Sequence, residues 1–346
     1  MNPWNKRELL RIIVFFGLLA AIGVMFLIPI PYYTISPGSA EDVSPLVKIE
    51  GYPLEEKGDF YLTTVSMKEG VLFDYIYSFL SKNVDLISEE QVLAEDESEE
   101  DYERRQAESM DLSQNHAIIA AYRYAKKPVK IRVSGIEVLR LINKSSGLEE
   151  GDMITQVDHQ PVKSVDQLTG YLSQKKAGEM VHVRVVRNQA TKDLFVKLTP
   201  LPVSDKKEKA GLGIVPVLKT DVQTDPSVQI DSEKIGGPSA GLMFSLEVLN
   251  RLNQEDLTHG YRIAGTGTIS ADGQVGQIGG IEYKIIAAAK KGAELFFCPK
   301  DKTPYDQNEK LAKATVKENN YSMKVVPVRS LDEAVDYLNR LPSQKH

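Results

Sequence analysis

The hydrophobic pattern of the chain begins with an apolar stretch at residues 12–30, where 19 residues carry no charged side chain. About 20 apolar residues let a helix cross the hydrocarbon core of a membrane, and a core helix of a soluble protein normally keeps a polar face. Three basic residues precede the stretch and the next Lys or Arg is Lys48. The positive-inside rule therefore predicts a cytoplasmic N-terminus over 1–11, a bilayer-contacting transmembrane anchor over 12–30, and an extracytoplasmic remainder in the cell membrane. A cleaved signal peptide is the alternative, although prolines and tyrosines at 29–33 stand where a cleavage site has small residues.

Residues 31–127 form a membrane-proximal region with mixed periodicities. A strand is predicted at 60–65, and a strongly acidic run with ten acidic residues and two arginines occupies 89–108. Ser88 is a suitable N-cap for a helix that begins in this run, because carboxylates are favoured at the positive end of a helix dipole. We expect a helix there in preference to a disordered tail, and no metal site, because the ligand spacing of a calcium loop is missing. Alanines at helical spacing predict a further helix at 113–124.

The pattern changes at residues 128–200 to short runs rich in Val and Ile, separated by Gly, Asn and Asp. Such runs predict β-strands, and one helix at 165–174 interrupts them with Leu168 and Leu172 on one face. The segment is therefore expected to form a small β-domain with a helix packed on it.

This segment resembles a PDZ domain. The resemblance is carried by Gly-Ile-Glu-Val at 135–138, by Gly-Asp-Met-Ile at 151–154 and by the Val-Asp pair that follows. It implies a module that binds an extended peptide by adding a strand to a sheet edge. The groove residues that it implies are Gly135, Ile136, Val138, Leu168 and Leu172. A structural β-domain with a blunted groove is the alternative, because the expected peptide-terminus loop holds little glycine.

Strand and helix patterns alternate from residue 201 to 346, which predicts an α/β domain. Ser330 and Glu333 form a capping box for the final helix. The other predicted elements are strands at 213–217, 261–269, 295–299 and 323–328, and helices at 239–253 and from 303 onward.

The candidate nucleophile is Ser239, in the sequence Gly-Gly-Pro-Ser-Ala-Gly at 236–241 directly before an amphipathic helix. A glycine-flanked helix start has exposed backbone amides and the positive end of the helix dipole, which suits the oxyanion of acyl transfer. The simpler interpretation is a serine cap with glycines that permit the turn. A Ser-His-Asp hydrolase is disfavoured, because residues 229–234 are too polar for the buried strand of a nucleophile elbow and only His259 and His346 follow.

A lysine is the other possible base for Ser239. A lysine with an ordinary pKa of about 10.4 is protonated at neutral pH and must be desolvated, or placed beside positive charge, before it can accept a proton. Lys284 fits this need because it follows a glycine turn and opens an apolar, alanine-rich helix, whereas Lys290 and Lys291 have the pattern of solvated lysines. Taken alone, the position fits a surface lysine of that helix even better.

Together the two motifs resemble the proteolytic domain of the Lon family, which uses a Ser-Lys dyad. Gly-Pro-Ser-Ala-Gly at 237–241 and Gly-Gly-Ile-Glu-Tyr-Lys at 279–284 match its two signatures. The resemblance implies Ser239 as the nucleophile, Lys284 as the general base and Thr266 as a threonine that hydrogen-bonds the lysine. It also implies oxyanion-binding amides near Gly237 and Ser239, and supporting positions at Gly237, Pro238, Gly279 and Gly280. Gly236 departs from the family pattern, in which Asp is common.

The order of anchor, PDZ-like domain and α/β Lon-type domain resembles the membrane-anchored YlbL/SepM-type peptidases of Gram-positive bacteria. The sequence has no GxxxxGK[ST] phosphate loop, so neither ATP nor another cofactor is expected. The resemblance implies an ATP-independent serine endopeptidase that makes limited cuts in small secreted peptides or single-pass membrane proteins. A membrane-tethered scaffold that binds peptides and has an inert dyad is the alternative function.

Composition adds two exclusions. The formal net charge of −6 has the wrong sign for a general nucleic-acid binder. The single cysteine, Cys298, excludes an intramolecular disulfide and a zinc site of the CxxC type, and no metal is expected.

Overall fold

The computed structural model describes residues 6–344 except for 53–56, 95–96, 143–145, 202–208, 233–234 and 254–255. In these residues the helices are α1 (Lys6–Met25), α2 (Leu72–Ser78), α3 (Glu89–Val92), α4 (Glu99–Tyr124), α5 (Val165–Leu172), α6 (Gly241–Leu252), α7 (Ile281–Lys291), α8 (Asn308–Glu318) and α9 (Leu331–Leu338). The strands of the first half are β1 (Pro29–Asp42), β2 (Val47–Ile49), β3 (Asp59–Val71), β4 (Asp85–Ser88), β5 (Val129–Leu141), β6 (Met153–Val157), β7 (Gln160–Pro161) and β8 (Met180–Arg187). The remaining strands are β9 (Ala190–Lys197), β10 (Thr199–Leu201), β11 (Lys209–Gly211), β12 (Ile214–Thr224), β13 (Val228–Ile230), β14 (Arg262–Gly265), β15 (Thr268–Ile269), β16 (Val275–Gly276), β17 (Leu295–Pro299) and β18 (Lys324–Val328). Short 3-10 helices occupy Ser44–Leu46 and Pro238–Ala240.

The apolar stretch at the start of the chain is helical over α1, and most of the side chains described for this helix are exposed. Its length and composition fit both a membrane span and a signal sequence. The helix begins and ends earlier than the 12–30 span expected from the sequence, and β1 begins at Pro29. Prolines at 29 and 31 explain the end of the helix, because proline lacks the amide that helix continuation needs.

A six-stranded sheet in the order β18-β17-β14-β3-β1-β4 forms the centre of the larger unit. Strands β3, β14, β17 and β18 are parallel, whereas β1 is antiparallel to β3. Side chains alternate along β3: Phe60 and Leu62 pack in the core with α4, α6 and α9, and Tyr61 packs in the core with α7 and α8. Helices thus cover both faces, and the unit has three α/β/α layers.

This sheet draws on chain segments before and after the β-domain. Phe60 of β3 lies opposite Ile263 of β14, and α4 packs on α6. The membrane-proximal region expected at 31–127 therefore contributes strands and a helix to the same unit as the elements that carry Ser239 and Lys284, which corrects the expectation of a separate C-terminal domain over 201–346. The pairing joins residues some 200 positions apart, so no local sequence pattern predicts it.

The smaller unit is a β-domain inserted in the larger one. Its sheet runs β12-β5-β6-β8-β9, with β7 beside β6, and Leu168 and Leu172 of α5 lie in its core. Strand β12 includes residues 214–217 of the strand that the sequence analysis expected at 213–217 and assigned to the α/β domain. Val129 and Thr224 are partners in the β5–β12 ladder, so the insertion leaves and rejoins the larger unit at neighbouring points.

The described part of the acidic region contains two helices, α3 and the start of α4. Ser88 precedes only the short helix α3, and the long helix α4 begins after Ser98, whose Oγ accepts a hydrogen bond from the Asp101 amide at 3.1 Å. The helix predicted at 113–124 is the second half of α4. Its alanines at 117, 120 and 121 are buried in the core shared with α6.

Candidate active site

Ser239 lies in the 3-10 helix that precedes α6. Gly237 directly before this turn has φ +85°, a conformation that glycine adopts without strain. A Cβ at Gly237 would also lie 3.0 Å from Gln106 Oε1 of α4. Backbone conformation therefore favours glycine at position 237, whereas the Gln106 side chain is flexible and can move aside.

Lys284 reaches Ser239 from the opposite face of the sheet. Its helix α7 begins after Gly280, which has a left-handed φ of +66°. Strand β14 ends at Gly265, opposite Leu62, whereas β3 continues to Val71. Beyond the carboxyl end of β14 the lysine side chain can pass between the helical layers, which places the site where parallel α/β sheets commonly bind ligands.

The Lys284 ammonium group is buried and has two oxygen partners. Lys284 is 3% exposed, and Nζ donates to Thr63 O at 2.7 Å and to Ser239 Oγ at 3.0 Å. Burial lowers the pKa of Lys284 from 10.5 to about 8, because desolvation disfavours the charged form. The geometry therefore presents a serine hydroxyl to an amine that loses its proton close to neutral pH.

Thr266 is near the site but has a different partner from the one expected. Its Oγ1 donates to the Ser239 carbonyl oxygen at 3.0 Å, and the Gly267 amide donates to the same oxygen at 2.8 Å. The lysine is instead held by the backbone of Thr63, 221 residues away in the chain. Sequence reasoning missed Thr63 because a carbonyl contact leaves no side-chain signature.

The two candidate oxyanion amides differ. The Gly237 amide already donates to Gln106 O at 2.9 Å. It is therefore not available to bind the oxyanion, which corrects the expectation for this amide. The Ser239 amide lies in the first turn of a helix, where amides have no intrahelical acceptor.

The two glycines before α7 differ in their surroundings. A Cβ on Gly280 would lie 2.9 Å from Val65 Cγ1, whereas a Cβ on Gly279 would meet no neighbouring atom within 4 Å. Crowding therefore explains glycine at 280 but not at 279.

Helix α4 supports the serine turn from behind. Ser113 Oγ donates to the Pro238 carbonyl oxygen at 2.9 Å, and Gln114 Nε2 donates to Ser232 Oγ at 2.8 Å. These contacts were missed in the sequence. The only sequence signal is Ser113, a small polar residue among the buried apolar residues of α4.

A cleft of about 550 Å³ opens at Ser239 and Lys284. It lies between β1, β3, α4 and the serine turn. Its lining includes Ser39, Glu41, Asp42, Leu62, Thr63, Thr64, Val65, Met110, Ser232 and Ile235. A cleft of this volume can hold a short segment of polypeptide.

The groove expected in the β-domain is not formed by β5. Gly135 lies opposite Lys219 of β12, Ile136 is paired on both sides, and Val138 is fully buried in the domain core. Strand β5 therefore has no free edge there, which corrects the expectation for Gly135, Ile136 and Val138. A Cβ at Gly135 would lie 2.6 Å from Ile154 O, so this glycine serves strand packing.

Leu168 and Leu172 of α5 do line an apolar cavity, of about 250 Å³. The opposite wall is formed by residues 210–214 and Pro216, at the start of β12. Strand β12 is the outer strand of its sheet, and Gly213 just before it has φ +69°. The cavity thus lies between a helix and a sheet edge.

Comparison with protein families identifies both units. A PDZ domain family matches residues 135–198, and a family described as the Lon protease (S16) C-terminal proteolytic domain matches residues 231–339. The chain contains a PDZ domain and a Lon-type proteolytic domain. A Lon-type domain of this kind belongs to a serine peptidase.

Curated relatives agree with the second match. Lon proteases of Metamycoplasma arthritidis and Mesomycoplasma hyopneumoniae are 35% and 32% identical over 102 residues, which are 30% of this chain and 11% of each relative. Lon protease 2 of Borreliella burgdorferi is 29% identical over 126 residues, 35% of this chain and 15% of that protein. The chain therefore spans roughly a tenth of the length of these relatives.

Solved structures similar to this chain include PDZ domains of SdrC-like proteins. The domain from Listeria monocytogenes is 28% identical, covering 25% of this chain and 93% of that chain with a TM-score of 0.23. The domain from Listeria innocua is 31% identical, covering 24% of this chain and 92% of that chain with a TM-score of 0.21.

Within the described part of the Lon-type domain no histidine accompanies Ser239. His259 precedes β14, whereas Ser239 packs beyond the other end of that strand, and His259 Nδ1 lies 3.5 Å from Ser343 Oγ. His346, which the sequence analysis also weighed, lies outside the described residues. The Lon-type match covers Ser239, Thr266 and Lys284, while Thr63, Gln106 and Ser113 come from the earlier part of the chain.

Proposed function

We propose that this chain is an ATP-independent, membrane-anchored serine endopeptidase with a Ser239–Lys284 dyad. It would make limited cuts in small secreted peptides or single-pass membrane proteins at the outer face of the cell membrane. The observation that carries the proposal is the buried Lys284 Nζ at 3.0 Å from Ser239 Oγ.

The chemistry follows from the pKa of the lysine. With a pKa of about 8, roughly one tenth of Lys284 is neutral at pH 7, against about 0.03% for a lysine near 10.5. Neutral Lys284 takes the proton of the Ser239 hydroxyl as Oγ attacks the peptide carbonyl carbon. The proton then passes to the leaving amine as the C–N bond breaks, which leaves an acyl ester on Ser239.

Water completes the cycle. Lys284 accepts a proton from the water that attacks the ester, the acid product leaves, and the proton returns to Ser239 Oγ. We assign the Ser239 amide, in the first turn of its helix, to the oxyanion of both steps. Thr266, Gly237, Pro238 and Gly280 then act by holding the serine turn and the lysine helix in place.

The substrate of this proposal is an extended segment. Strand β3 continues past the end of β14, and its residues Thr64 and Val65 line the cleft beside Ser239. A peptide could lie along this part of β3 as a further strand. The sequence carries no ATP-binding phosphate loop, so a folded substrate would not be pulled apart and the cuts would be limited to exposed segments.

The PDZ domain is assigned to substrate recruitment through β12. A peptide would add to the outer edge of this strand and place side chains against Leu168 and Leu172. We assign the backbone amides of residues 212–214, which line that cavity, to the end of the bound peptide. The alternative is a scaffold that binds peptides here while the dyad is inert.

The orientation in the membrane is tested by a reporter. We propose that α1 remains attached, with 1–11 in the cytoplasm and both domains outside. A fusion at residue 346 to a reporter that is active only outside the cytoplasm should be active, and protease added to protoplasts should remove it. Activity of a cytoplasm-specific reporter at that position would contradict this topology.

The function itself is tested by comparing cells that carry the wild-type chain or Ser239→Ala. Secreted and membrane peptides are compared by mass spectrometry, with Ser245→Ala as the matched control. Ser245 Oγ donates to Gly241 O within α6, whereas the hydroxyl that Lys284 contacts is that of Ser239. Products that are present in wild type and Ser245→Ala but missing in Ser239→Ala support the peptidase. Identical peptide sets in all three strains would favour the scaffold.

A further inference from the structure

The end of α1 is attached to a second apolar element, the helix α2. The Leu72 amide donates to the Ile28 carbonyl oxygen at 2.9 Å, and the rings of Phe26 and Phe73 stack with centroids 4.2 Å apart. Pro29 at the start of β1 lies opposite Val71 at the end of β3. Helix α2 therefore begins at the level where the chain leaves α1.

Helix α2 and the turn after it expose an apolar patch, defined here as Tyr75, Ile76, Tyr77, Phe79 and Leu80. Phe79 is 74% exposed and Leu80 is 80% exposed. Soluble proteins rarely expose a contiguous group of large apolar side chains unless it meets a partner or a membrane.

The orientation of the patch is fixed by the buried carboxylate of Asp74. This carboxylate accepts a hydrogen bond from the Val71 amide at 3.1 Å and forms an ion pair with Lys68 at 3.1 Å. Asp74 holds α2 on the domain, while the apolar side chains of the patch remain exposed.

The length of α1 indicates what covers the patch. Residues 9–25 contain 17 positions with only Arg11 charged, and at 1.5 Å per residue they span about 26 Å, less than the roughly 30 Å of a hydrocarbon core. The exposed residues Phe26, Leu27 and Ile28 continue the apolar surface. The outer boundary of the hydrocarbon core then falls at the residues to which α2 is bound.

We propose that the patch is a second membrane contact that lies in the outer interface of the bilayer beside α1. This rests on the anchoring by α1 in the proposed function. The patch is continuous with the lipid-facing surface of α1, and its mixture of tyrosine, phenylalanine and aliphatic side chains is typical of a membrane interface.

The consequence is an active site at the end of β14 that is nearer the membrane. Strand β3 runs from Asp59 toward Val71, and β14 is parallel to it, so the carboxyl end of β14 points toward the same side as the patch. From Thr63, which holds Lys284, to Val71 is eight residues, about 26 Å along a strand. Two membrane contacts would fix this orientation and favour substrates within about that height of the surface.

The experiment uses the full chain in phosphatidylcholine vesicles with Trp4, its one tryptophan, replaced by Phe. Single tryptophans are placed by Leu80→Trp in the patch, Phe16→Trp in α1, and Lys57→Trp, an exposed site at the other end of β3. Quenching by lipids brominated on the acyl chains is measured for each. We expect strong quenching at positions 16 and 80 and none at 57.

The outcomes separate the patch from the anchor. If Trp fluorescence is quenched at position 16 but not at positions 80 and 57, the second membrane contact is wrong and the anchor is supported. Lack of quenching at 16 would overturn both proposals about the membrane. Cross-linking between copies through position 80 without lipid quenching would assign the patch to a second copy of the chain and also overturn the proposal.

A second measurement does not depend on the new tryptophans. Phe79→Ser with Leu80→Ser should keep wild-type cleavage of a short soluble peptide and slow the cleavage of a single-pass membrane substrate several-fold. Equal loss on both substrates would mean that the patch supports the fold instead of the membrane orientation.

Discussion

The PDZ domain and the Lon-type unit contrast in how the chain builds them. The PDZ domain is contiguous from Val129 to Thr224, and those two residues are neighbours in one ladder. The Lon-type unit takes β1, β3 and α4 from before that insertion and the Ser239 and Lys284 elements from after it. An inserted domain whose two ends are adjacent can be removed without separating the strands on either side of it. The candidate dyad, by contrast, depends on contacts between distant segments of the chain. Recruitment and chemistry are therefore expected to be separable.

The dyad should give the largest effect. Lys284→Ala should lower kcat/KM on an unstructured peptide by about 10² to 10⁴, the usual contribution of a general base, and Ser239→Ala should remove measurable turnover. Lys290→Ala, an exposed lysine on the same helix, is the control and should match wild type. Steady-state kinetics of the purified variants check this. Substantial residual turnover by Lys284→Ala would reject the lysine as base.

Removal of the PDZ domain tests whether the two units are separable. Excision of Val129–Thr224 with a short glycine linker should leave cleavage of a small peptide unchanged, since the ends of the insertion are adjacent. Cleavage of the natural substrate should fall by up to about 10² to 10⁴, the gain expected from a tethered second binding site. Deletion of only 128–200 should instead damage the protein, because β12 would lose its partner β5.

The kinetic comparison needs both substrates. kcat/KM of the excised protein is measured on a short peptide and on a membrane-protein substrate, with circular dichroism to verify folding. Equal losses on the two substrates would mean that the PDZ domain supports the active-site fold, and the contrast between the units would fail.

The sequence predicted the residues whose signal is local. Ser239 and Lys284 lie in short glycine-containing motifs at helix starts, and both occupy the site. The support from Thr63 O, Gln106 and Ser113 was not predictable, because it joins segments more than 100 residues apart through backbone atoms and small side chains. The PDZ resemblance placed the peptide groove at Gly135, Ile136 and Val138. The edge strand β12 lies beyond the polar segment 202–208, and its pairing with β5 has no local signal.

The pH profile should give the next largest effect. The pKa of Lys284 is lowered to about 8, so kcat/KM should rise about tenfold per unit below pH 8 and level off above it. Rates on one peptide from pH 5 to 9 check this, with Lys290→Ala expected to give the same profile. A flat profile would contradict the assigned base.

The lowered pKa of Lys284 also makes the stability of the fold depend on pH. Because the folded-state pKa lies below the unfolded value of 10.5, the fold disfavours protonated Lys284 by about 3 kcal/mol, in full below pH 8. This penalty is lost as pH rises from 8 to 10.5. Lys284→Met should therefore be more stable relative to wild type at pH 7 than at pH 10. Thermal unfolding at both pH values measures it, and an advantage that grows with pH would contradict the sign.

Ser113→Ala should give the smallest effect and tests the contact between distant segments directly. The hydroxyl is buried and donates to the carbonyl of Pro238, so its loss leaves that carbonyl without this donor and should cost about 1 to 3 kcal/mol of folding free energy. The serine turn should also become less well positioned, and kcat should fall several-fold with little change in KM. Ser109→Ala is the matched control, since Ser109 Oγ donates only to Arg105 O within the same helix. If both variants lose stability equally and neither loses kcat, α4 contributes packing but does not position Ser239, and the Lon-type unit would depend less on its early segment than the contacts indicate.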